Sequence, residues 1–294
     1  MSEHCYYNTK IGKEEDMFLF LTEILEKYAI DCFGVIPLSE CKVTKPYLLE
    51  REGIADGSAV ILAVPYFTKA CLAPNRNLSA YAVPRNYHAF FEMLYAELLP
   101  KLRERFPTYR FAGFSDHSPI AEVEAASRAG LGVIGKNHLL LTQKYSSYVF
   151  LGEIITDMPT DRTATEVTYC EGCGACERLC PSSECGGCLS ALTQKKGVLS
   201  EQERVLIKHF GSVWGCDICQ EVCPHTQKAI KSENIFTPIS YFNEQTVAHL
   251  SLAVLDAFTP EEFAERAFSW RGRETVQRNL KIMEGSETEG DEPC

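Results

Sequence analysis

The alternation of apolar and polar positions divides the chain before any chemistry is considered. Residues 14–28 set Phe18, Leu21, Leu25 and Tyr28 at helical spacing with acids between them, which predicts an amphipathic helix. Residues 59–66 are an apolar run after Asp56-Gly57 and read as a buried strand. Residues 86–105 read as a helix that Pro100 should bend or divide, because proline lacks the N–H a helix needs there. Residues 109–115 read as a strand. Ser118-Pro119 then offers an N-cap and a first-turn proline for a helix ending near Gly130. Residues 138–142 and 148–156 alternate between apolar strand and turn. Helices interleaved with strands predict an α/β layer, an α+β sheet with flanking helices, over residues 1–165. The polar stretch 157–168 reads as a linker. A cysteine-rich segment follows over 166–232, then a helical segment over 233–283 and an acidic tail, 284–294, expected to be disordered.

Composition narrows the function classes. At 294 residues, 45% hydrophobic and 23% charged, the chain has the make-up of an ordinary globular protein. It holds no run of about 18 apolar residues, so no membrane span is expected. Its first residues, Met1-Ser2-Glu3-His4-Cys5, lack the basic start and apolar core of a signal peptide, and a cytoplasmic location is expected. A net charge of −11 argues against non-specific binding to nucleic acid, which relies on basic surface.

Fourteen cysteines change the picture. In a reducing compartment, clustered cysteines point to metal or redox chemistry rather than disulfides. Cys170-Glu-Gly-Cys173-Gly-Ala-Cys176-Glu-Arg-Leu-Cys180-Pro181 fits the bacterial ferredoxin run without a mismatch, and Cys216-Asp-Ile-Cys219-Gln-Glu-Val-Cys223-Pro224 is a shorter second run. Three closely spaced thiolates wrap one corner of a 4Fe-4S cube, while the cysteine before proline turns to the other cluster. Crossover then assigns Cys170, Cys173, Cys176 and Cys223 to one cluster, and Cys180, Cys216 and Cys219 to a second. That second cluster needs one more ligand, and Cys185 and Cys188 both lie in the intervening stretch. Zinc bound by paired C-x-x-C motifs leaves both Cys-Pro endings unexplained. Outside the eight, Cys5, Cys32, Cys41, Cys71, Cys185 and Cys294 are scattered and read as ordinary thiols. Two clusters carry electrons but choose no substrate, so residues 1–165 must hold what the electrons reach.

On four stretches the sequence resembles the epoxyqueuosine reductase family of iron–sulfur and cobalamin enzymes. Ser115-Asp116-His117-Ser118-Pro119 is similar to the family's Asp-Ser-Ala-Pro segment. Arg128-Ala-Gly130-Leu-Gly132-Val-Ile-Gly135-Lys136-Asn137, continuing to Phe150-Leu-Gly152-Glu153, resembles a long family signature. Tyr81-Ala-Val-Pro84-Arg-Asn86-Tyr87-His88 resembles a Tyr-Ala-x-Gly-x-Asp-Tyr-His stretch, with Pro84 and Asn86 as departures. The two ferredoxin runs complete the likeness, and Gln277-Arg278-Asn279 extends it weakly.

The resemblance implies a 1–165 cobalamin- and substrate-binding domain and a bacterial ferredoxin-like double-cluster domain over 166–232. It implies two 4Fe-4S clusters and cobalamin as cofactors, and reduction of epoxyqueuosine to queuosine in tRNA. It selects Cys188, in Cys188-Leu-Ser-Ala-Leu-Thr193, as the last cluster ligand, and makes Asp116 the proton donor near the corrin. Tyr87, His88, Gly135, Lys136 and Asn137 become candidate cofactor or substrate contacts. The implied partners are a tRNA anticodon stem-loop and a low-potential donor such as flavodoxin or ferredoxin, with the protein acting as a monomer. Longer family members carry a C-terminal helical-repeat module where this sequence ends, so a short form is expected.

From the residues themselves, Asp116 follows a predicted strand and precedes a helix, where open α/β sheets place ligands. Desolvation beneath an apolar cofactor is expected to raise its pKa. Read plainly, it is also a turn aspartate upstream of the Ser118 cap. Residues 130–135 invite either a helix end or backbone approach to a corrin, and Tyr87 and His88 either a pocket lining or a helix start. Two rival functions remain: a cobalamin-dependent reductase of a small molecule or of a corrinoid protein, and a ferredoxin-type electron carrier without catalysis.

Overall fold

The computed structural model describes residues 15–285. The expectation of a disordered tail falls on residues 284–294, of which 286–294 lie outside the described residues, as do Cys5 and Cys294. The described residues form two compact units, neither continuous in sequence: residues 15–66, Tyr87–Gly174 and Pro224–Ile239 make the first, and Phe67–Asn86, Ala175–Cys223 and residues 240–285 the second.

The first unit is built in chain order from α1 (Glu15–Lys27), β1 (Phe33–Pro37), α2 (Pro46–Glu52), β2 (Ser58–Pro65), α3 (Tyr87–Arg105), β3 (Phe111–Phe114), α4 (Glu122–Arg128), β4 (Val133–Ile134), β5 (Leu140–Leu141) and β6 (Val149–Thr156). Four strands form one sheet in the order β1-β2-β6-β3, and β4 and β5 form a separate pair. Every pairing in both sheets is antiparallel. The rule that places ligands at the switch point of an open parallel sheet therefore does not apply to Asp116. The continuous apolar run of β2 has a simple cause, since all eight of its residues are buried. One face packs Ile61, Ala63 and Ile155 against Ala125 and Ala126 of α4 in a core that includes Ile36, Leu48 and Phe114. On α3, a Cβ added at Gly152 of β6 would lie 2.3 Å from Phe91 Cε1, so this helix comes down directly onto the strand. Hydrophobic burial on that scale, about 25 cal/mol per Å² of apolar surface, is what holds the layers.

Local expectations fare unevenly, and the exceptions are instructive. In α1, Met17, Leu21, Ile24 and Leu25 are buried, whereas Phe18, and Tyr28 just past the helix end, sit at the margin. Helix α3 is not divided at Pro100, because Phe91, Leu94, Leu98 and Leu102 are buried on both sides of it and tertiary packing outweighs the lost hydrogen bond. Ser118 does not cap a helix. Its Oγ accepts from the Ile120 N–H at 3.2 Å, and α4 starts only at Glu122. The far end of α4 matches the sequence reading, for Gly130 at φ 78° follows the last turn. The Leu131 N–H bonds Ala126 O and the Gly130 N–H bonds Ser127 O, both at 3.0 Å. Residues 157–168 are not a free linker, since Thr165 N–H donates to Arg128 O at 2.8 Å and Thr168 N–H to Ser127 Oγ at 3.2 Å.

The second unit contains α5 (Ala175–Arg178), α6 (Ser182–Cys185), α7 (Leu189–Thr193), α8 (Glu201–Phe210) and α9 (Ile218–Glu221). The chain then lends α10 (Pro224–Lys231) to the first unit before adding α11 (Ser240–Asn243), α12 (Leu252–Ala257), α13 (Pro260–Ala264) and α14 (Arg273–Glu284) to the second. Ser200 and Glu203 form a capping box at the start of α8. Leu189, Leu192, Leu199, Ile207 and Ile282 make a core joining α7, α8 and α14, and Asn279 fastens it by donating to Thr193 O at 2.7 Å and Val213 O at 2.9 Å. Among the described residues no helix is long and apolar enough to cross a membrane.

Candidate active site and cysteine clusters

In the first unit, three sequence-predicted residues meet. Asp116 occupies the turn after β3 with φ 60°, a left-handed conformation that aspartate tolerates better than most residues. The first turn of α3 brings Tyr87 and His88 to it. Tyr87 donates its hydroxyl to Asp116 Oδ2, and His88 Nε2 lies 3.3 Å from the same oxygen. Both side chains of the His88–Asp116 pair are about half exposed, at 45% and 53%, so the group opens to solvent. An aromatic stack backs it: Tyr87 lies on Phe150 of β6 with ring centroids 4.2 Å apart, and Phe150 lies on Tyr66 at the same distance. Next to Asp116, His117 turns to Tyr47, whose hydroxyl is 2.9 Å from Nε2.

The charge state of Asp116 differs from the sequence expectation. Burial does raise its pKa, but hydrogen bonds from His88 and Tyr87, with the charge of Lys45, outweigh it and hold the carboxyl below its ordinary range. The resting group is a carboxylate. Any proton it delivers must first be brought to it.

Gly135, Lys136 and Asn137 belong to a second group in the same unit. Gly135 N–H bonds Leu139 O at 2.8 Å, and a Cβ on Gly135 would lie 2.3 Å from Asn137 Oδ1. The glycine is thus required by a tight turn that Asn137 closes, with its Oδ1 accepting from the Leu139 N–H at 3.3 Å. This turn lies against the entry to the first cysteine run. Ile134 N–H donates to Thr168 O at 2.8 Å, Cys170 N–H donates to Ile134 O at 3.0 Å, and Lys136 Cε lies 3.5 Å from a Cβ built on Gly172.

In the second unit, the thiols of Cys180 and Cys188 act on both Cys216 and Cys219. Burial first, then the neighbouring Asp217 and the thiols of Cys188 and Cys180, push Cys216 up to about 11. Burial and the thiols of Cys216, Cys180 and Cys188 push Cys219 up to about 12. Cys188 stands exposed at the N-cap of α7, while Cys185 ends α6 and leans on the Leu189–Leu192 core. Burial, with a smaller contribution from the Cys223 thiol, raises Cys176 within this unit, whereas Cys170 and Cys173 belong to the first unit. Among the described residues no three His, Cys, Asp or Glu side chains converge tightly enough to grip a single metal ion. Thiols are the donor chemistry of a cluster with several irons, and the four cysteines grouped here by their electrostatics offer that donor type.

One residue had no assigned role in the sequence reading and organises this region. Asp217 is buried, and it accepts from the Ala80 N–H and Arg76 Nη1, each at 2.6 Å, from Gln220 Nε2 at 3.2 Å and from the Ser79 hydroxyl. Arg76 also bonds Glu221. The stretch Tyr81–His88 thereby serves two purposes, for Trp214 Nε1 donates to the Tyr81 hydroxyl at 2.7 Å in the second unit while Tyr87 and His88 serve Asp116 in the first. An acid inside a C-x-x-C motif was the available signal.

No family model matches the chain. Among curated proteins, it is 33% identical to an epoxyqueuosine reductase of Listeria monocytogenes over 93% of this chain and 76% of that protein. It is 32% identical to one of Lactococcus garvieae over 81% of this chain and 72% of that protein. Among solved structures, epoxyqueuosine reductase from Streptococcus thermophilus superposes with a TM-score of 0.71 at 24% identity, covering 91% of this chain and 80% of that one. An epoxyqueuosine reductase crystallised with an epoxyqueuosine-modified tRNA-Tyr stem loop gives 0.69 at 23% identity, over 92% and 81%. At those identities the structures speak for the fold, and the curated relatives speak for the family: the chain belongs to the epoxyqueuosine reductases.

Proposed function

We propose that this protein reduces epoxyqueuosine to queuosine in tRNA, drawing electrons through two 4Fe-4S clusters into a bound cobalamin. The observation that carries the reading is the meeting of Tyr87 and His88 on the Asp116 carboxylate, beside an open aromatic wall, in a member of this family. Cys170, Cys173, Cys176 and Cys223 would hold one cluster, and Cys180, Cys188, Cys216 and Cys219 the other. The grouping of Cys188 with Cys216 and Cys219 supports it over Cys185. This assigns residues 166–232 a double-cluster role, with a low-potential flavodoxin or ferredoxin as the donor.

Opening an epoxide to an alkene consumes two electrons and two protons, and the oxygen leaves as water. Cobalamin, when bound, supplies a strongly reducing cobalt centre that reacts with strained carbon. Tyr87 and Phe150, half-buried and backed by the buried Tyr66, offer flat apolar surface for a large cofactor or a nucleobase. Asp116 would pass a proton to the departing oxygen, and Tyr87 and His88, which bond its carboxylate, would orient it for that transfer. The net charge of −11 makes a narrow contact with an anticodon stem-loop more consistent with this chain than a long phosphate grip.

The test is anaerobic reconstitution with iron, sulfide and cobalamin, followed by conversion of epoxyqueuosine in an anticodon stem-loop at moderate salt. Asp116→Asn should retain corrin absorbance and iron while turnover falls by about 10²–10⁴-fold. Wild-type turnover of free epoxyqueuosine nucleoside equal to that of the stem-loop would remove tRNA from the reading. Unchanged turnover in Asp116→Asn would remove the aspartate.

A further inference from the structure

Behind Asp116 lies a pair of carboxyl groups with no task in the reaction as described. Glu153 stands on β6 between Ile61 of β2 and Phe114 of β3, and none of its surface is exposed. Glu122 opens α4, touches the Glu153 carboxyl, and accepts from the backbone N–H of Asp116. As ionised groups, both Glu153 oxygens and Glu122 Oε1 are buried without a hydrogen-bond partner. Two carboxylates in contact offer only acceptors, so their contact becomes a hydrogen bond once one of them carries a proton. A fully enclosed anion with only the Ser118 hydroxyl to offset it is costly enough that the group takes up a proton instead.

The surroundings offer little to offset two charges. Lys45 and Asp116 face Glu122 with opposite effects. Tyr95 faces the pair from α3, Cys41 faces Glu153 from the segment after β1, and the Ser118 hydroxyl lies beside Glu153. Burial, then the charge of Asp116, raises Glu122 to about 7, and burial, then Glu122, raises Glu153 well above the carboxylate range. At neutral pH the pair therefore holds at least one proton that Asp116 lacks.

We propose that the Glu122–Glu153 pair is a proton store that reloads Asp116 during turnover, with Glu122 as the outlet. The inference rests on the reading of Asp116 as the proton donor. Each reduction needs two protons, and an aspartate that is ionised at rest must receive each one before passing it on. The half-exposed Asp116 side chain lets water bridge the step from Glu122. The proton leaves the pair as Asp116 gains it, and solvent later restores the pair.

Two measurements test this. The first is the infrared carbonyl absorption of protonated carboxyl groups in the holoenzyme, isotope-edited with labelled glutamate. We expect a glutamic acid band at pH 7 that is lost in Glu153→Gln and that persists with a shifted frequency in Glu122→Gln, where Glu153 stays enclosed but loses its carboxyl neighbour. In Asp116→Asn the band should titrate away at lower pH, because one neighbouring negative charge is gone. Absence of the band in the wild-type protein, or its indifference to Asp116→Asn, overturns the store. The second is the pH profile of stem-loop turnover in Glu122→Gln. We expect a loss of about tenfold at pH 8 that narrows toward pH 6, where solvent protons substitute, with partial recovery in Glu122→Asp. A profile parallel to wild type overturns delivery through Glu122. Should the wild-type protein fail to turn over epoxyqueuosine at all, the functional reading falls. The band and its dependence on Asp116 still decide whether the pair stores a proton. If Glu153→Gln does not fold, Glu122→Gln at the half-buried start of α4 supplies both arms.

Discussion

Replacing Asp217 with alanine should destabilise the second unit strongly, and the structure allows the loss to be sized. The carboxylate is 2% exposed and faces Arg76, whose side chain is 14% exposed. Removing one partner of a buried ion pair costs about 3–5 kcal/mol, because the other charge is left without compensation. Arg76 keeps Glu221, which is 45% exposed, so the ion-pair loss belongs at the low end of that range. The Ala80 N–H loses its acceptor as well, adding about 1 kcal/mol. A total near ~4 kcal/mol, with a urea slope of about 2 kcal/mol per M, moves the midpoint down by ~2 M. The chain has two tryptophans, Trp214 and Trp270, and both lie in the second unit, so intrinsic fluorescence reports that unit. Midpoints of the reconstituted proteins are the proper comparison, since loss of a metal cluster breaks two-state behaviour. Asp217→Asn keeps one acceptor oxygen and should lose about half as much. A midpoint for Asp217→Ala within ~0.3 M of wild type would refute the claim that this network holds the second cysteine run.

Three further outcomes follow from the same geometry. Cys188→Ala should lower reconstituted iron from about eight atoms per chain to about four, whereas Cys185→Ala should leave it near eight; the reverse pattern would exchange their roles. Gly152→Ala should cost about 1–3 kcal/mol by overpacking, because the new methyl meets Phe91 and Tyr95, and circular dichroism during urea unfolding would register it. The raised pKa values of Glu122 and Glu153 also set a sign for stability against pH. Above about pH 4.5 the folded state binds more protons than the unfolded chain, so stability falls as pH rises toward about 7, by up to ~1.4 kcal/mol per pH unit for each proton. Glu153→Gln should flatten that slope, and an unchanged slope would mean the pair is ionised in both states.

The cysteine runs were legible because their chemistry is local. Three thiols within a few residues of chain, ending in Cys-Pro, are the same motif in any fold. Asp116, Tyr87 and His88 were visible as candidates through their family likeness, but what they do to one another was not. The ionised state of Asp116 depends on the neighbours Tyr87 and His88 and on Lys45, which lie far from Asp116 in sequence and reach it only when α3 packs on the sheet. The same holds for Pro100 and Ser118, whose local preferences lost to packing around them.

Sequence alone was sufficient to mark the two cysteine runs, the central buried strand and the glycine that ends α4, since spacing and backbone conformation act over a few residues. Tertiary structure decided the antiparallel order of the sheet, the anchoring of Asp217 by Arg76 and Ser79, and the burial of Glu153. An acid in an apolar strand signals a conflict, but only the groups packed around it determine whether it is an anion or a stored proton, because its charge state follows desolvation and neighbours rather than its position in the chain.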